Sequence, residues 1–323
     1  MTSVPAPEFE VRLEPPDIRA WLPGNTGIPG FTSLQSGHPG PHAAILAVTH
    51  GNEFSGAIVL DHLLRSGLTP ERGCLTLGFV NIEAFSRFDA NRPTVSRFVD
   101  EDLNRLWDED VLDGPRRSHE LDRAREIRPL LDTFDVLLDL HSMLWPSDPL
   151  ILSGPAEKGA ALAEAIATPG LVVSDHGHTN GKRIIDYPRF SNPGTPFTAI
   201  LLEAGQHWRE DTVAVARASV AGLLRHLRMG DPGPPPLEAA HRSRRAAVTA
   251  AITPRTRNFS FLRTWRGGDV VPHRNTLLAM DGQTEIRTPY DDCLLVMPSV
   301  RPSKGHTAVR LARFEPAADT PRP

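Results

Sequence analysis

Three apolar stretches of this sequence end in side chains that can hold a metal ion or move a proton. The first, residues 44–49, leads into His50 and Glu53, with Gly51 between them and a helical pattern after them. Imidazole nitrogen and carboxylate oxygen are both zinc ligands, at ~2.0–2.2 Å. Ligands of open α/β sheets bind beyond the carboxyl ends of the strands, where this pair falls. A plainer reading has Glu53 settled against the positive end of a helix and His50 buried as a core histidine. The second stretch, residues 136–140, ends in His141. Asp139 lies two residues earlier and so shares its face of a strand, from where it would orient the imidazole. A strand-terminal histidine alone is structural more often than not. With His50 and Glu53 it completes a His₂Glu set, which leaves one position for water, as catalytic zinc sites do.

The third stretch, Ile200-Leu-Leu, ends in Glu203. A carboxylate at the end of an apolar strand is costly unless it has a partner or a task. Beside a zinc-activated water it could take a proton and pass it to a leaving amine; the bland alternative is a structural salt bridge. His207, four residues on, reads as a rim residue. A fourth group is Arg97, Asn104 and Arg105, close together in a loop-like stretch with Asp100, Glu101, Asp102 and Asp108. Arginine grips carboxylates bidentately and asparagine donates from its amide. The same composition also describes a surface ion-pair network.

The elements that position these residues alternate between strand and helix. Residues 43–48, 74–81, 135–140, 149–152, 170–174 and 198–203 are strand-like. Residues 55–65, 119–134 and 211–229 read as helices, the first with Ile58, Val59, Leu63 and Leu64 as its apolar positions. Continuous apolar strands between helices indicate an α/β domain whose mainly parallel sheet is covered on both faces. Gly230-Asp-Pro-Gly-Pro-Pro-Pro236 cannot continue a helix and favours extended backbone. The predicted division is therefore a catalytic α/β domain over 1–229, a Pro-rich linker over 230–240 and a small β domain over 241–323. In the last part, 246–252, 258–263, 276–281, 293–298 and 308–314 are strand-like and are punctuated by Gly- and Asp-rich turns, as in a sandwich or barrel.

A formal charge of −4 over 323 residues provides no basic field for nucleic acid or an anionic membrane. Two distant cysteines, Cys74 and Cys293, make neither a disulfide framework nor a Cys-rich metal site. The polar, Pro-rich N-terminus lacks an apolar signal core, and no run reaches the ~18 apolar residues of a membrane span. The expectation is a soluble, cytoplasmic protein. Its partners would be a small-molecule substrate and, as a homo-oligomer, further copies of itself.

In chain order, Thr49-His50-Gly51-Asn52-Glu53, Arg97 through Asp102-Leu103-Asn104-Arg105, Asp139-Leu140-His141 and the Glu203 strand resemble the aspartoacylase/succinylglutamate desuccinylase family, relatives of the zinc carboxypeptidases. Residues 286–298 also resemble that family's C-terminal β domain, so the likeness spans residue 40 to the end. The 88 residues from Glu53 to His141 suit the acylase branch better than digestive carboxypeptidases. The resemblance implies one zinc per chain held by His50, Glu53 and His141. It further implies Glu203 as general acid/base, Arg97 polarising the scissile carbonyl, and Asn104 and Arg105 lining the substrate pocket, with Arg105 on the substrate carboxylate. The implied reaction is hydrolysis of an N-acyl amino acid, or a similar small amide, by a zinc amidohydrolase. A zinc carboxypeptidase or peptide amidase, and a non-catalytic zinc-stabilised binding protein, are the alternatives. Residues 176–189 match neither named enzyme; Lys182, Arg183, Tyr187 and Arg189 are candidates there to shape the acyl or side-chain pocket.

Overall fold

The computed structural model describes residues 9–178, 180–230 and 243–316. The linker at 230–240 lies, apart from Gly230, outside the described residues. Before it the strands are β1 (Phe31–Gln35), β2 (His42–Ala47), β3 (Cys74–Phe79), β4 (Val136–Met143), β5 (Leu150–Leu152), β6 (Leu171–Ser174) and β7 (Thr198–Gln206). After it come β8 (Arg244–Ile252), β9 (Phe259–Phe261), β10 (Val270–Val271), β11 (Leu277–Asp281), β12 (Thr284–Arg287), β13 (Cys293–Val296) and β14 (Val309–Phe314). An 11-stranded sheet runs in the order β1-β3-β2-β4-β7-β5-β6-β8-β14-β13-β10, and β12-β11-β9 form a 3-stranded one.

The centre of the large sheet, β3-β2-β4-β7, is parallel. Strand β5 runs antiparallel to β7, β5-β6-β8 is parallel again, and β8-β14-β13-β10 is antiparallel. The fold is thus the mixed α/β sheet with flanking helices that the pattern implies, followed by an all-β C-terminal region. That region is less detached than a sandwich or barrel. Strand β8 pairs along β6 from Leu171↔Arg244 to Ser174↔Ala247, covering an edge that would otherwise expose unpaired backbone groups. Only β12-β11-β9 forms a separate sheet, and it packs with β10, β13 and β14 of the large one over a third core that includes Trp265, Leu278 and Leu295.

Alternation along the central strands sorts their side chains between two cores. Ala43 and Ile45 of β2, Leu138 and Leu140 of β4, and Ile200 and Leu202 of β7 pack with the helices Ser55–Arg65, Glu157–Ile166 and Glu210–His226. Ala44, Leu46, Leu137 and Leu201 face the other way, towards the helix His119–Leu131. By the same period of two, Asp139, His141 and Glu203 share that second face. Parallel register sets His141 directly opposite Glu203.

Several bounds differ from the sequence pattern. Strand β4 continues to Met143, so His141 lies within it, and β7 continues to Gln206. The helix predicted at 119–134 stops at Leu131, where Thr133 and Phe134 turn back on Leu130 and Leu131. The helix Ser55–Arg65 buries Ala57, Val59, Leu60 and Leu63, leaving Ile58 and Leu64 half-buried. No helix among the described residues is long and apolar enough to cross a membrane.

Candidate active site

The chain leaves β2 through Val48 at φ 52° and passes close beneath the loop that carries Arg97. Gly51 donates its N–H to the Arg97 carbonyl at 3.0 Å. A Cβ on Gly51 would lie 2.4–2.5 Å from backbone atoms of Ala84, Phe85 and Ser96, so only glycine fits. Glu53 N–H closes a turn onto the His50 carbonyl at 3.1 Å, and the helix begins at Ser55. The His-x-x-Glu spacing thereby becomes a tight turn that aims both side chains back over the ends of the strands.

His50, Glu53 and His141 each offer one ligand atom, all within 4.8 Å of one another, and all three residues are buried. His50 Nδ1 stands 2.8 Å from Glu53 Oε1, and His141 Nδ1 stands 2.9 Å from Glu53 Oε2. The far nitrogens meet other carboxylates: His50 Nε2 lies 2.9 Å from Asp102, with Arg97 Nη2 also 3.0 Å from it, and His141 Nε2 lies 2.7 Å from Asp139. Asp139 also accepts from Thr49 Oγ1 at 2.9 Å. Each imidazole therefore sits between two carboxylates. If its Nε2–H donates outward, its Nδ1 lone pair faces a carboxylate oxygen. That contact is repulsive unless positive charge lies between, as a proton on Nδ1 or a shared cation. The donor set and its carboxylate–imidazole support are those of a zinc site, so these residues fit the ion.

The local electrostatics point the same way. Burial opposes ionisation of Glu53, but His50 and His141 outweigh it and hold the carboxyl well below its usual range. Burial likewise opposes the charged His141, but Asp139 and Glu53 raise it well above an ordinary histidine. Glu203 shows the reverse. Burial, then the charge of Glu53, push it up to about 8, and its Oε2 is buried without a hydrogen-bond partner among the described residues.

These groups line one wall of a cavity of about 210 Å³. Arg97 reaches Glu53 Oε1 at 2.8 Å and Asp102 at 3.4 Å, with 36% of its side chain accessible through the cavity although protein surrounds it. Asn104 accepts from Ile184 N–H at 2.8 Å, and its amide nitrogen lies 3.4 Å from His141 Nε2. Arg105 donates to the Asn104 carbonyl at 2.7 Å. Across the cavity stand Trp145, Leu152, Leu201 and Met297.

Of the four candidates from residues 176–189, only Arg183 lines this cavity, and Asp175 and Asp186 hold its guanidinium at 2.6–3.1 Å. Lys182 pairs outward with Asp108 at 2.9 Å. Tyr187 donates to Asp132 at 2.9 Å, and Arg189 stacks on Phe197 with its guanidinium carbon 3.6 Å from the ring centre. Tyr187 also accepts from Arg128 of the helix His119–Leu131, and Arg189 donates to the Phe134 carbonyl, so none of the three reaches the cavity. His207 is not on the rim but buried, 2.7 Å from Ser142 Oγ. Sequence reading missed His178 and Arg310, which both line the cavity. The alternation of Val309, Arg310 and Leu311 gives Arg310 the signature of a solvent-facing strand position, so no local signal marks it.

Residues 39–227 match the family described as "Succinylglutamate desuccinylase/Aspartoacylase catalytic domain". Aspartoacylase from Xenopus tropicalis is 32% identical over 114 residues, 32% of this chain and 35% of that protein. The human N-acyl-aromatic-L-amino acid amidohydrolase (carboxylate-forming) is 32% identical over 108 residues, 31% of this chain and 32% of that protein. The matched stretch thus spans about a third of these relatives' length. Succinylglutamate desuccinylase from Vibrio cholerae shares the fold, with a TM-score of 0.69 over 88% of this chain and 86% of that one, at 18% identity. A succinylglutamatedesuccinylase/aspartoacylase from Rhodobacter sphaeroides gives 0.64 over 90% and 89%, also at 18% identity.

Proposed function

Because the chain belongs to the succinylglutamate desuccinylase/aspartoacylase family of deacylating hydrolases, we propose that it is a zinc-dependent amidohydrolase cleaving the amide bond of an N-acyl amino acid or a similar small carboxylate-bearing amide. The observation that carries this reading is the convergence of His50 Nδ1, Glu53 and His141 Nδ1 beside Glu203, whose Oε2 is unpartnered. Those three residues would hold the ion, one per chain. Zinc supplies a Lewis acid and lowers the pKa of water towards ~7.

The remaining roles belong to the chain's own side chains. Glu203 takes the proton of the attacking water and returns it to the leaving nitrogen, a task that favours a pKa near the working pH. Its raised value of about 8 comes from burial and Glu53, and a cation at the centre would act in the opposite direction. Arg97, held by Glu53 and Asp102, is the donor for the oxyanion that develops on the carbonyl. Asn104 and Arg105 position the substrate carboxylate, which converts binding into orientation.

The test is elemental analysis of the wild type and His141→Ala, followed by a panel of N-acyl-L-amino acids and short peptides. About one zinc per chain, lost in the variant, with release of free amino acid and carboxylate, is the expected result. A protein that takes up no metal on reconstitution, or a loaded one inert towards every amide, overturns the reading.

A further inference from the structure

Two arginines from distant parts of the chain converge on one histidine at the cavity. Arg105 Nη2 lies 3.1 Å from His178 Nε2, and Arg310 Nη2 lies 2.7 Å from the same nitrogen and 3.0 Å from Nδ1. Burial, then Arg310 and Arg105, push His178 down to about 2, so it stays uncharged at neutral pH. A neutral imidazole has one acceptor lone pair and cannot satisfy two guanidinium forks.

The carboxylates within range do not make up the difference. Asp102 stands 4.0 Å from Arg105 and already meets His50 and the Asn104 N–H at 2.9 Å. Asp175 stands 3.9 Å from Arg310 and already accepts from both terminal nitrogens of Arg183, at 2.6 and 3.1 Å. Only 6% of the Arg310 side chain is exposed, and a buried charge is costly without close pairing. Burial and the nearby Arg183 lower its pKa, and Asp175 and, less strongly, Glu203 offset this only in part. Strand β14 holds it there: Val309 and Leu311 face the C-terminal core, whereas Ala312, on the same face as Arg310, belongs to the second core of the large sheet, with Ala246, Leu294 and Val296.

We propose that Arg310 and Arg105, which meet at His178, form a two-arginine clamp for the substrate's carboxylate, so that the C-terminal β region takes part in selecting substrate by charge. This rests on the deacylase reading given above. Two guanidiniums can share one carboxylate through parallel, charge-assisted bonds, and the anion offsets the mutual repulsion of the pair. Arg310 is thereby a specificity-determining residue that itself takes up and gives up no proton, although its charge also bears on Glu203.

The experiment measures binding separately from turnover. Zinc-loaded Glu203→Gln protein, with and without Arg310→Met, is titrated calorimetrically with the twenty N-acetyl-L-amino acids. The tightest of them is then compared with its C-terminal carboxamide. With Arg310 present, the free acid should bind about 10- to 100-fold more tightly than the carboxamide. Arg310→Met should remove most of that preference by weakening the free acid alone. With Glu203 intact, the same substitution should raise KM for the acid by a larger factor than it lowers kcat. Should the Met variant misfold, Arg310→Lys keeps the charge without the fork and should lose an intermediate part of the preference. Equal losses on acid and carboxamide, a loss confined to kcat, or no carboxylate preference to begin with would each overturn the clamp. Preference intact and Arg310-dependent in a protein that hydrolyses no amide would overturn the deacylase reading and leave the clamp standing.

Discussion

Glu203→Gln separates catalysis from stability, because the atom it changes has no partner to lose. The substitution replaces one carboxyl oxygen by NH₂ at nearly constant volume, and Oε2 of the native side chain makes no hydrogen bond among the described residues. A positioned acid/base group contributes about 10²–10⁴-fold to rate, so kcat should fall by about that factor, or ~2.7–5.5 kcal/mol of barrier. Zinc content should stay at the wild-type level, since Glu203 is not among the three convergent ligand atoms. Stability of the metal-free protein should rise. The carboxyl is held up at about 8 in the fold against an ordinary 4.5, so the folded state prefers it protonated. Its favourable contribution is present in full below pH ~4.5 and is lost as pH rises through ~8. The neutral amide escapes that loss, so the stability difference between variant and wild type should grow over this window and level off above it. At ~1.36 kcal/mol per pH unit its ceiling is roughly 5 kcal/mol, less what rearrangement around the group recovers. Paired denaturant titrations from pH 4 to 9, with turnover assayed on loaded protein, measure both. A variant within tenfold of the wild-type kcat, or one that unfolds more easily at pH 9, would refute the role and the unpartnered state respectively.

Two further substitutions probe the supports of the site. Asp139→Asn keeps the shape but removes the charge 2.7 Å from His141 Nε2, and should weaken zinc binding about 10- to 100-fold in competition with a chelator; unchanged affinity would mean that Asp139 does not tune the ligand. Gly51→Ala puts a methyl group 2.4–2.5 Å from three backbone atoms. It should destabilise the protein by at least ~1–3 kcal/mol in urea unfolding and displace His50, whereas wild-type stability would show that the loop over it yields freely.

The centre of this site was legible in sequence because all of its residues but Glu53 terminate or punctuate an apolar stretch. His50, His141 and Glu203 stand out where polar side chains interrupt runs that are otherwise continuous, and parallel pairing of β2, β4 and β7 then brings adjacent strand ends together. Asp139 was legible as the supporting carboxylate from a spacing of two. Asp102 was not, because among four acids in one loop nothing local distinguishes the one that meets His50. The 176–189 segment was legible only as unusual. Its contacts depend on Gly181, whose Cβ would lie 2.1 Å from the Arg105 carbonyl, and on Ile184 donating to Asn104, neither of which a pattern reveals. The division of the C-terminal strands between two sheets was hidden for a similar reason. Alternation fixes which residues share a face but not which edge a strand will join.

That last choice has a chemical consequence. Had β8 closed on its own neighbours, the outer face of β14 would meet water, and Arg310 would be an ordinary surface cation. Pairing β8 with the open edge of β6 carries β14 into the large sheet and turns Arg310 towards His178 and the cavity. An edge that needed covering for stability thereby delivers a buried charge to the site. Such a charge is tolerated in folding only if something offsets it, and Asp175, shared with Arg183, and the more distant Glu203 do so in part. The remainder is binding energy held for an anion. On this argument the C-terminal strands supply both a lid on the sheet edge and a share of substrate recognition, and substitutions that loosen β8 from β6 should cost carboxylate affinity before they cost metal.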